Sequence, residues 1–118
     1  MNCYNGARHL REALDSILEQ TYQNWELVFW DNRSTDQSAD IFKEYKDSRL
    51  KYYLAPKHTD LGLGRAQAFQ YLKGEFIGVL DTDDVWLPYK LEKQIPLFDN
   101  PEVGIVISDT LFFNKKKE

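Results

Sequence analysis

Apolar and polar positions alternate along the chain in two periods, and the two periods predict helices and strands. Leu10, Leu14 and Ile17 recur at helical spacing and give the first helix one apolar face. Helices are predicted over residues 7–20, 34–45, 65–73 and from residue 88 onward. Strands are predicted over residues 25–30, 50–54, 75–80 and 103–108, the last continuing toward residue 113. Strands separated by helices predict a doubly wound α/β domain with a mostly parallel sheet.

Turn and capping residues set the predicted boundaries of these elements. Residues 2–6 are typical of a turn, with no strand before them. Ser34 followed by Gln37 matches the capping-box pattern at the start of a helix. Gly74 is expected to end the third helix, and Pro88 suits the first turn of the fourth. We find no internal repeat or linker, so one domain is expected over residues 1–118.

Three carboxylates follow the strand predicted at residues 75–80. Asp81, Asp83 and Asp84 lie within four positions, and acids this close repel one another unless a cation or hydrogen-bond donors share their charge. Ligands of open α/β sheets bind beyond the carboxyl ends of the strands, where Asp31 is also expected. Mg²⁺ and Mn²⁺ take oxygen ligands and substrate phosphates. The pattern favours a nucleotide or phosphate site; the alternative is a solvated turn in which Asp84 caps the next helix.

Composition and charge narrow the class of protein. The net charge of −4 and the pI near 5.2 argue against a nucleic-acid partner, because the only basic run is residues 115–117. The single cysteine, Cys3, excludes an internal disulfide and fits a reducing compartment. No apolar run approaches the ~20 residues that cross a bilayer, so no transmembrane segment is expected. The expected location is cytoplasmic, with a peripheral position at the inner face of the membrane as a second option.

Several segments together resemble the inverting nucleotide-sugar glycosyltransferases of family 2, which have the GT-A fold. The segments are residues 4–6, 16–22, 31–36, 64–66, 73–76, 80–86 and 90–94. Each alone is a weak signal, since short acidic patterns arise by chance, but their shared order and spacing are specific. The resemblance implies a GT-A, Rossmann-like nucleotide-binding half and a role in cell-envelope polysaccharide biosynthesis.

The resemblance implies that the first loops of the chain bind a nucleotide-diphosphate sugar donor. Tyr4 and Asn5 match the family's first sugar-nucleotide loop. Asp31 matches the acid that hydrogen-bonds the base or the ribose. Asn32 and Arg33 stand where the family often has aspartate and glycine, and arginine adopts a positive φ less readily than glycine. The identity of the base is therefore left open.

A second group of matches implies a metal-assisted diphosphate site. Asp81 and Asp83 match the family's D-x-D motif, with Asp81 facing the ribose or a metal-bound water and Asp83 binding the Mn²⁺ or Mg²⁺ that bridges the phosphates. Thr82 between them is counted with the donor-binding residues. Arg65 matches an arginine that reaches the nucleotide; its alternative is a solvated helix residue. Trp86 contacts either the sugar or the core, and both options are kept.

The implied reaction moves a sugar to an acceptor hydroxyl with inversion, which requires a carboxylate base. In the family this base lies well downstream of the D-x-D strand, so it is expected beyond Glu118, and the isolated chain is expected to be inactive. The family's first strand, an apolar run before Tyr4, is also expected to be absent. Its loss would expose a sheet edge through which two copies of the chain could associate.

Three other functions fit parts of the pattern. A phosphatase of the haloacid dehalogenase type would use Asp81 as nucleophile and Asp83 as acid/base, but its expected downstream acidic pair is missing. A nucleotidyltransferase would open with a glycine-rich phosphate loop, which the chain lacks. A non-catalytic nucleotide-binding module stays open on the sequence alone.

Overall fold

The computed structural model of the chain describes residues 1–112, which form a three-stranded parallel sheet and four α-helices. Strands β1, β2 and β3 are Asn2–Cys3, Leu27–Asp31 and Leu50–Leu54, paired in the order β1-β2-β3. Helices α1 to α4 are Ala7–Leu18, Ser38–Glu44, Leu61–Phe69 and Lys90–Gln94, and a 3-10 helix over Ile95–Asp99 follows α4. Phe113 and the basic run at 115–117 lie outside the described residues.

β2 forms the centre of the sheet, and all five of its residues are buried. Its side chains alternate between two cores. Phe29 packs toward α1 and α2, with its ring stacked on Phe42 at 4.3 Å between centroids. Val28 and Trp30 face the opposite side, where Ala68 of α3 contacts them. The predicted doubly wound α/β architecture, with helices on both faces of a parallel sheet, is confirmed.

The apolar face predicted for the first helix is the face that α1 packs against the sheet. Leu10, Leu14 and Ile17 are all buried there. Because burying one such side chain contributes about 1.5–3 kcal/mol, core packing fixes the position of α1. Within residues 1–112 no helix is both long and apolar enough to cross a membrane.

The turn predicted for residues 2–6 is wrong at its beginning, because Asn2 and Cys3 form β1. Asn2 pairs with Trp30 and Cys3 with Asp31, both in parallel register. The first strand is therefore present as two residues, where the resemblance led us to expect none. Two residues are too short for an alternating pattern to appear, so the sequence carried no signal for this strand.

Two of the predicted strands are wrong, since residues 75–80 and 103–108 join no ladder in the described part of the chain. Of residues 75–80, only Leu80 is buried. Ile105 and Ile107 are 81% and 87% exposed. An apolar run becomes a strand only where a neighbour pairs with its main chain. Self-association through an exposed sheet edge stays a prediction.

The capping box predicted at Ser34 and Gln37 does not form. α2 begins at Ser38, and its N-cap residue, Gln37, makes no side-chain capping bond. The Ser34 hydroxyl instead accepts a hydrogen bond from the main-chain nitrogen of Asn5 at 3.1 Å. The pattern did not predict the helix start correctly because a serine hydroxyl can also hydrogen-bond the main chain of a loop that is distant in sequence and close in the fold.

The third and fourth helices are displaced from their predicted bounds. α3 begins at Leu61, well before residue 65, because the Asp60 carboxylate accepts a hydrogen bond from the Leu63 main-chain nitrogen at 2.9 Å. α4 begins at Lys90, so Pro88 precedes the helix and does not occupy its first turn. Capping by Asp60 thus sets the start of α3.

Candidate functional site

A cavity of about 360 Å³ opens next to the residues that follow β1 and β2. Its volume lies within the range of small-molecule sites. It is lined by five residues predicted to bind the donor, which are Tyr4, Asn32, Asp81, Thr82 and Asp83. Five further lining residues were not predicted, namely Asn2, His58, Thr59, Asp60 and Leu61. The structure thus brings the first loop and the acidic loop, residues 81–84, to one place.

Tyr4 and Asn5 follow β1 but have different surroundings. The Tyr4 ring is about half exposed, and its centroid lies 4.2 Å from that of His58. Asn5 has a φ of 53°, and its Oδ1 accepts hydrogen bonds from the main-chain nitrogens of Thr35 at 2.7 Å and Asp36 at 3.3 Å. Tyr4 therefore lines the cavity, while Asn5 fastens the loop and is not among the lining residues.

Side chains of residues 34–38 bind the beginning of α1, and we call these residues together with residues 5–7 the clasp. The Ser38 hydroxyl accepts a hydrogen bond from the Gly6 nitrogen at 3.0 Å, and Asp36 Oδ2 accepts one from the Ala7 nitrogen at 3.0 Å. Asp36 Oδ1 also accepts from the nitrogen and hydroxyl of Ser38. The start of α1 is therefore capped within the chain and is not a free anion site.

Hydrogen bonds in the clasp favour the ionised form of Asp36. Burial by itself opposes ionisation, but bonds from the Ser38 hydroxyl and from the main-chain nitrogens of Ala7 and Ser38 bring the pKa of Asp36 below its ordinary value. A charged carboxylate at the N-terminus of a helix also interacts favourably with the helix dipole. Asp36 is thus a structural acid at the start of two helices.

Asp31, at the end of β2, is 1% exposed and does not line the cavity. Its Oδ1 accepts a hydrogen bond from the Ser34 nitrogen at 2.7 Å, and its Oδ2 accepts one from the Tyr52 hydroxyl at 2.6 Å. Burial, and then the bond to Asp31, raise the pKa of Tyr52 above its ordinary value. In this structure Asp31 supports the turn that carries Asn32 and Arg33, and its predicted contact with the donor stays a prediction.

Arg33 has a φ of 67°, in the left-handed region that glycine adopts without steric cost. A left-handed conformation costs a residue with a Cβ roughly 1–2 kcal/mol. We therefore expect Arg33→Gly to raise the free energy of unfolding by up to about 1 kcal/mol, because glycine's extra freedom in the unfolded chain offsets part of the gain. Urea unfolding measures the change, with Arg33→Ala as the matched control that keeps the Cβ. A glycine variant no more stable than the alanine variant would contradict the strain.

Asn32 fastens the segment between β3 and α3. The residue is 2% exposed, and its side-chain amide pairs with the main chain of Thr59 in both directions. Nδ2 donates to the Thr59 oxygen at 2.7 Å, and Oδ1 accepts from the Thr59 nitrogen at 3.0 Å. The Asn32 main-chain oxygen lies 2.9 Å from Nδ1 of His58. Asn32 therefore holds one wall of the cavity.

The acidic loop carries more negative charge than its surroundings compensate. Arg65 Nη2 lies 2.6 Å from Asp81 Oδ1, but both side chains are partly exposed, and such pairs contribute at most about 1 kcal/mol. Asp83 makes no hydrogen bond or ion pair within residues 1–112. Burial, and then the charges of Asp83 and Asp81, raise the pKa of Asp84. The alternative in which Asp84 caps the next helix is wrong, since that helix begins at Lys90.

The donor atoms of this loop fit a divalent metal that shares its ligands with a nucleotide. Within residues 1–112 no three His, Cys, Asp or Glu side chains converge as a metal site. Asp81 and Asp83 nevertheless both line the cavity and offer carboxylate oxygens. Mg²⁺ is commonly held by one or two carboxylates, with water and substrate phosphates completing its shell. These residues therefore fit Mg²⁺ or Mn²⁺ bound together with a diphosphate.

Two glycines allow the acidic loop and its flanks to pack closely. A Cβ on Gly6 would lie 2.8 Å from Thr82 Oγ1, so the loop reaches the start of α1 only because this residue is glycine. A Cβ on Gly78 would lie 2.8 Å from the tip of the Trp86 ring. Trp86 is partly buried against the main core. Of the two options for Trp86, the structure supports packing in the core.

Gln20 positions the chain that follows the acidic loop, a role that the sequence analysis missed. Its side chain is fully buried just beyond α1. Nε2 donates to the main-chain oxygens of Leu87 at 2.8 Å and Ser16 at 3.1 Å, and Oε1 accepts from the Leu91 nitrogen at 3.1 Å. The sequence did hold a signal for this role, because Gln20 continues the apolar face of the first helix. A polar side chain at such a position is expected to be buried, and a buried amide needs hydrogen-bond partners.

Both the sequence and the fold of this chain are similar to those of known glycosyltransferases. The family described as Glycosyl transferase family 2 matches residues 1–118. UDP-Glc:alpha-D-GlcNAc-diphosphoundecaprenol beta-1,3-glucosyltransferase WfgD of Escherichia coli is 37% identical over 97 residues, which cover 82% of this chain and 38% of WfgD. Crystal structures of S. aureus TarS 1-349 with UDP and with UDP-GlcNAc match at 27% identity, with TM-scores of 0.78 and 0.79. The matches cover 83% of this chain and 30% and 29% of those TarS chains, so this chain spans well under half the length of these proteins.

Proposed function

The chain belongs to glycosyl transferase family 2, and from that membership we propose that it binds the nucleotide diphosphate of a sugar donor for transfer to an acceptor hydroxyl. The observation that carries the proposal is the cavity in which Tyr4, Asn32 and the acidic loop meet at the ends of the strands. We propose a UDP-sugar as the donor, because TarS is described with UDP and UDP-GlcNAc and WfgD is named for UDP-Glc.

Charge determines how such a site would work. A nucleotide diphosphate is an anion, so it approaches Asp81 and Asp83 only if positive charge lies between them. The Arg65 guanidinium supplies part of that charge and orients Asp81 through their ion pair. Asp83 and Asp81 would hold Mn²⁺ or Mg²⁺, which when bound stabilises the negative charge that develops on the leaving diphosphate.

The base that deprotonates the acceptor is not assigned to any described residue. The carboxylates lining the cavity are Asp60, Asp81 and Asp83, of which Asp60 caps α3 and the others belong to the acidic loop. We propose that residues 1–112 serve the donor and that the acceptor side, with its base, is formed by other parts of the longer proteins in this family. Donor binding is thus the activity that we propose for residues 1–112.

The proposed setting is the synthesis of a cell-envelope polysaccharide in the cytoplasm or at the inner face of the membrane. WfgD supports it, since its name places a glucosyl transfer on a diphosphoundecaprenol-linked sugar. The phosphatase alternative is not retained, because the family that residues 1–118 match is Glycosyl transferase family 2. A non-catalytic nucleotide-binding module differs from our proposal only in lacking a reaction partner.

UDP together with Mn²⁺ is expected to stabilise the folded chain. At about a hundred times its Kd, a ligand that binds only the folded state adds about 2.7 kcal/mol. For a domain of this size that corresponds to a rise in Tm on the order of 10 °C. Thermal melts with UDP plus Mn²⁺, UDP plus EDTA, and uridine plus Mn²⁺ measure the contributions of metal and diphosphate separately. A Tm that no combination of Mn²⁺ with UDP, GDP or TDP changes would contradict a donor site.

A further inference from the structure

His58 lines the donor cavity from a loop that the sequence analysis did not single out. It lies between β3 and α3, and its side chain is exposed. Its ring centroid is 4.2 Å from that of Tyr4, with the ring planes at 45°. The two rings come from separate loops, so the sheet places them together at one border of the cavity.

The hydrogen bond at Nδ1 determines which nitrogen of the neutral His58 ring carries the proton. Nδ1 lies 2.9 Å from the main-chain oxygen of Asn32. A carbonyl oxygen only accepts hydrogen bonds, so Nδ1 is the donor and carries the hydrogen. Nε2 then has a free lone pair and no hydrogen-bond partner within residues 1–112. This ring, which belongs to a residue that lines the cavity, therefore has one unpaired acceptor nitrogen.

Asn32 keeps this acceptor in a fixed position. Its buried side-chain amide pairs with both main-chain groups of Thr59, the neighbour of His58, at 2.7 and 3.0 Å. The main chain beside His58 and the His58 ring are therefore both attached to the same residue. A group held in this way loses little entropy when a ligand binds, which favours selective recognition.

We propose that His58 is a specificity-determining residue of the donor site, with Nε2 accepting a hydrogen bond from an N–H or O–H group of the donor's nucleoside. The inference rests on the proposed donor binding and adds to it a recognition contact for the nucleoside. Two groups of UDP have the required chemistry, which are the imide N3–H of uracil and the ribose hydroxyls. Asn32 is by the same geometry a positioning residue, which acts on the nucleotide through His58.

Three substitutions separate the acceptor from the ring and from the bond to Asn32. His58→Phe keeps a ring beside Tyr4 and removes both nitrogens. His58→Asn keeps a donor near the position of Nδ1 and removes Nε2, whereas His58→Gln restores an acceptor near Nε2. In calorimetric titrations of UDP with Mn²⁺ we expect the Phe and Asn variants to bind about fivefold more weakly than wild type, as expected for one lost hydrogen bond, and the Gln variant to recover most of the loss. If His58→Phe and His58→Asn both bind UDP as tightly as wild type does, the inference is overturned.

Modified nucleotides identify the group that donates. If the base donates, N3-methyl-UDP is expected to bind wild type and His58→Phe equally weakly; if the ribose donates, 2′-deoxy- or 3′-deoxy-UDP does so. If all three analogues keep the fivefold difference between wild type and His58→Phe, no nucleoside group donates to Nε2, and the inference is overturned. Thermal melts of each variant verify that it is folded.

The tautomer is measured without nucleotide, which separates this inference from the proposed function. Nitrogen-15 spectra of the ligand-free chain are expected to show the neutral His58 ring with its hydrogen on Nδ1. A ring with its hydrogen on Nε2 would overturn the inference and leave donor binding unaffected. A wild-type chain that shows the expected tautomer but binds no nucleoside diphosphate would overturn the proposed function, and the His58 contact with it.

Discussion

Gln20→Ala is expected to lower the free energy of unfolding by about 3 kcal/mol, although Gln20 does not line the cavity. The substitution removes three hydrogen bonds, including the one that the Leu91 nitrogen donates to Gln20 Oε1, whereas the Leu87 oxygen keeps its bond from the Lys90 nitrogen. A buried group left without a partner costs about 1–3 kcal/mol, and the lost side chain adds a cavity beside α1. The damage should reach the donor site, because only two residues separate the acidic loop from residues 87–91.

Urea unfolding measures this loss, and Gln70→Ala is the matched control. Gln70 is an exposed glutamine next to a helix end, whose Nε2 donates only to the Gln67 main-chain oxygen. Its removal is expected to change stability by less than about 0.5 kcal/mol. If Gln20→Ala were no more costly than Gln70→Ala, the three hydrogen bonds of Gln20 would not be holding the chain after the acidic loop.

Asp83→Ala is expected to abolish the Mn²⁺-dependent part of UDP binding and to leave the fold intact. Asp83 is exposed and makes no hydrogen bond or ion pair within residues 1–112, so its removal breaks no structural contact. Its charge helps to raise the pKa of Asp84, so the variant also relieves repulsion in the ligand-free chain. We therefore expect its stability without nucleotide to equal or slightly exceed that of wild type.

Calorimetry with and without Mn²⁺ measures this effect, with Asp99→Ala as the control of equal charge change. Asp99 is exposed at the end of the 3-10 helix and does not line the cavity. The control variant should retain the full metal dependence of UDP binding. If Asp83→Ala instead unfolds, and the wild-type chain binds no metal with UDP, the role of Asp83 is structural.

The local pattern predicted correctly those elements whose apolar residues pack against a neighbouring element. The predictions of α1, β2 and β3 hold because the apolar residues of these elements have partners to pack against. Phe29 of β2, for example, packs against Phe42 of α2. Residues 75–80 and 103–108 have equally strong apolar patterns, yet they pair with nothing in the described part of the chain. A strand depends on the partner that pairs with it, and the composition of a segment does not reveal whether that partner exists.

The sequence predicted the location of the site, near the carboxyl ends of the strands, better than it predicted the contacts of the individual residues. Tyr4 and Asn32 line the cavity just after β1 and β2, and Asp83 lines it although the strand predicted before it does not form. Asp31 was predicted to hydrogen-bond the base or the ribose of the donor. In the structure its oxygens accept hydrogen bonds from Ser34 and Tyr52, and its contact with the donor stays a prediction. The position of an aspartate in the sequence does not reveal which groups of the folded chain form hydrogen bonds with its carboxylate.

His58 was missed for a different reason. It lies in a loop without periodicity, and no motif at that position marks it as part of a site. Its position at the cavity depends on the main-chain oxygen of Asn32 and on the ring of Tyr4, both distant in sequence. Only tertiary structure reveals such a residue.

The clasp links the opening of two helices in one event. Asp36 bonds to Ala7 and Ser38 bonds to Gly6 across 29 and 32 positions of sequence. Closing a chain of that length costs entropy before any contact offsets it, so the clasp forms only when β2 already lies beside β1. Once the clasp has formed, the start of α1 cannot separate from residues 34–38 without also breaking the hydrogen bonds at the start of α2. We therefore expect the amide hydrogens of Gly6, Ala7 and Ser38 to exchange with solvent as one cooperative unit.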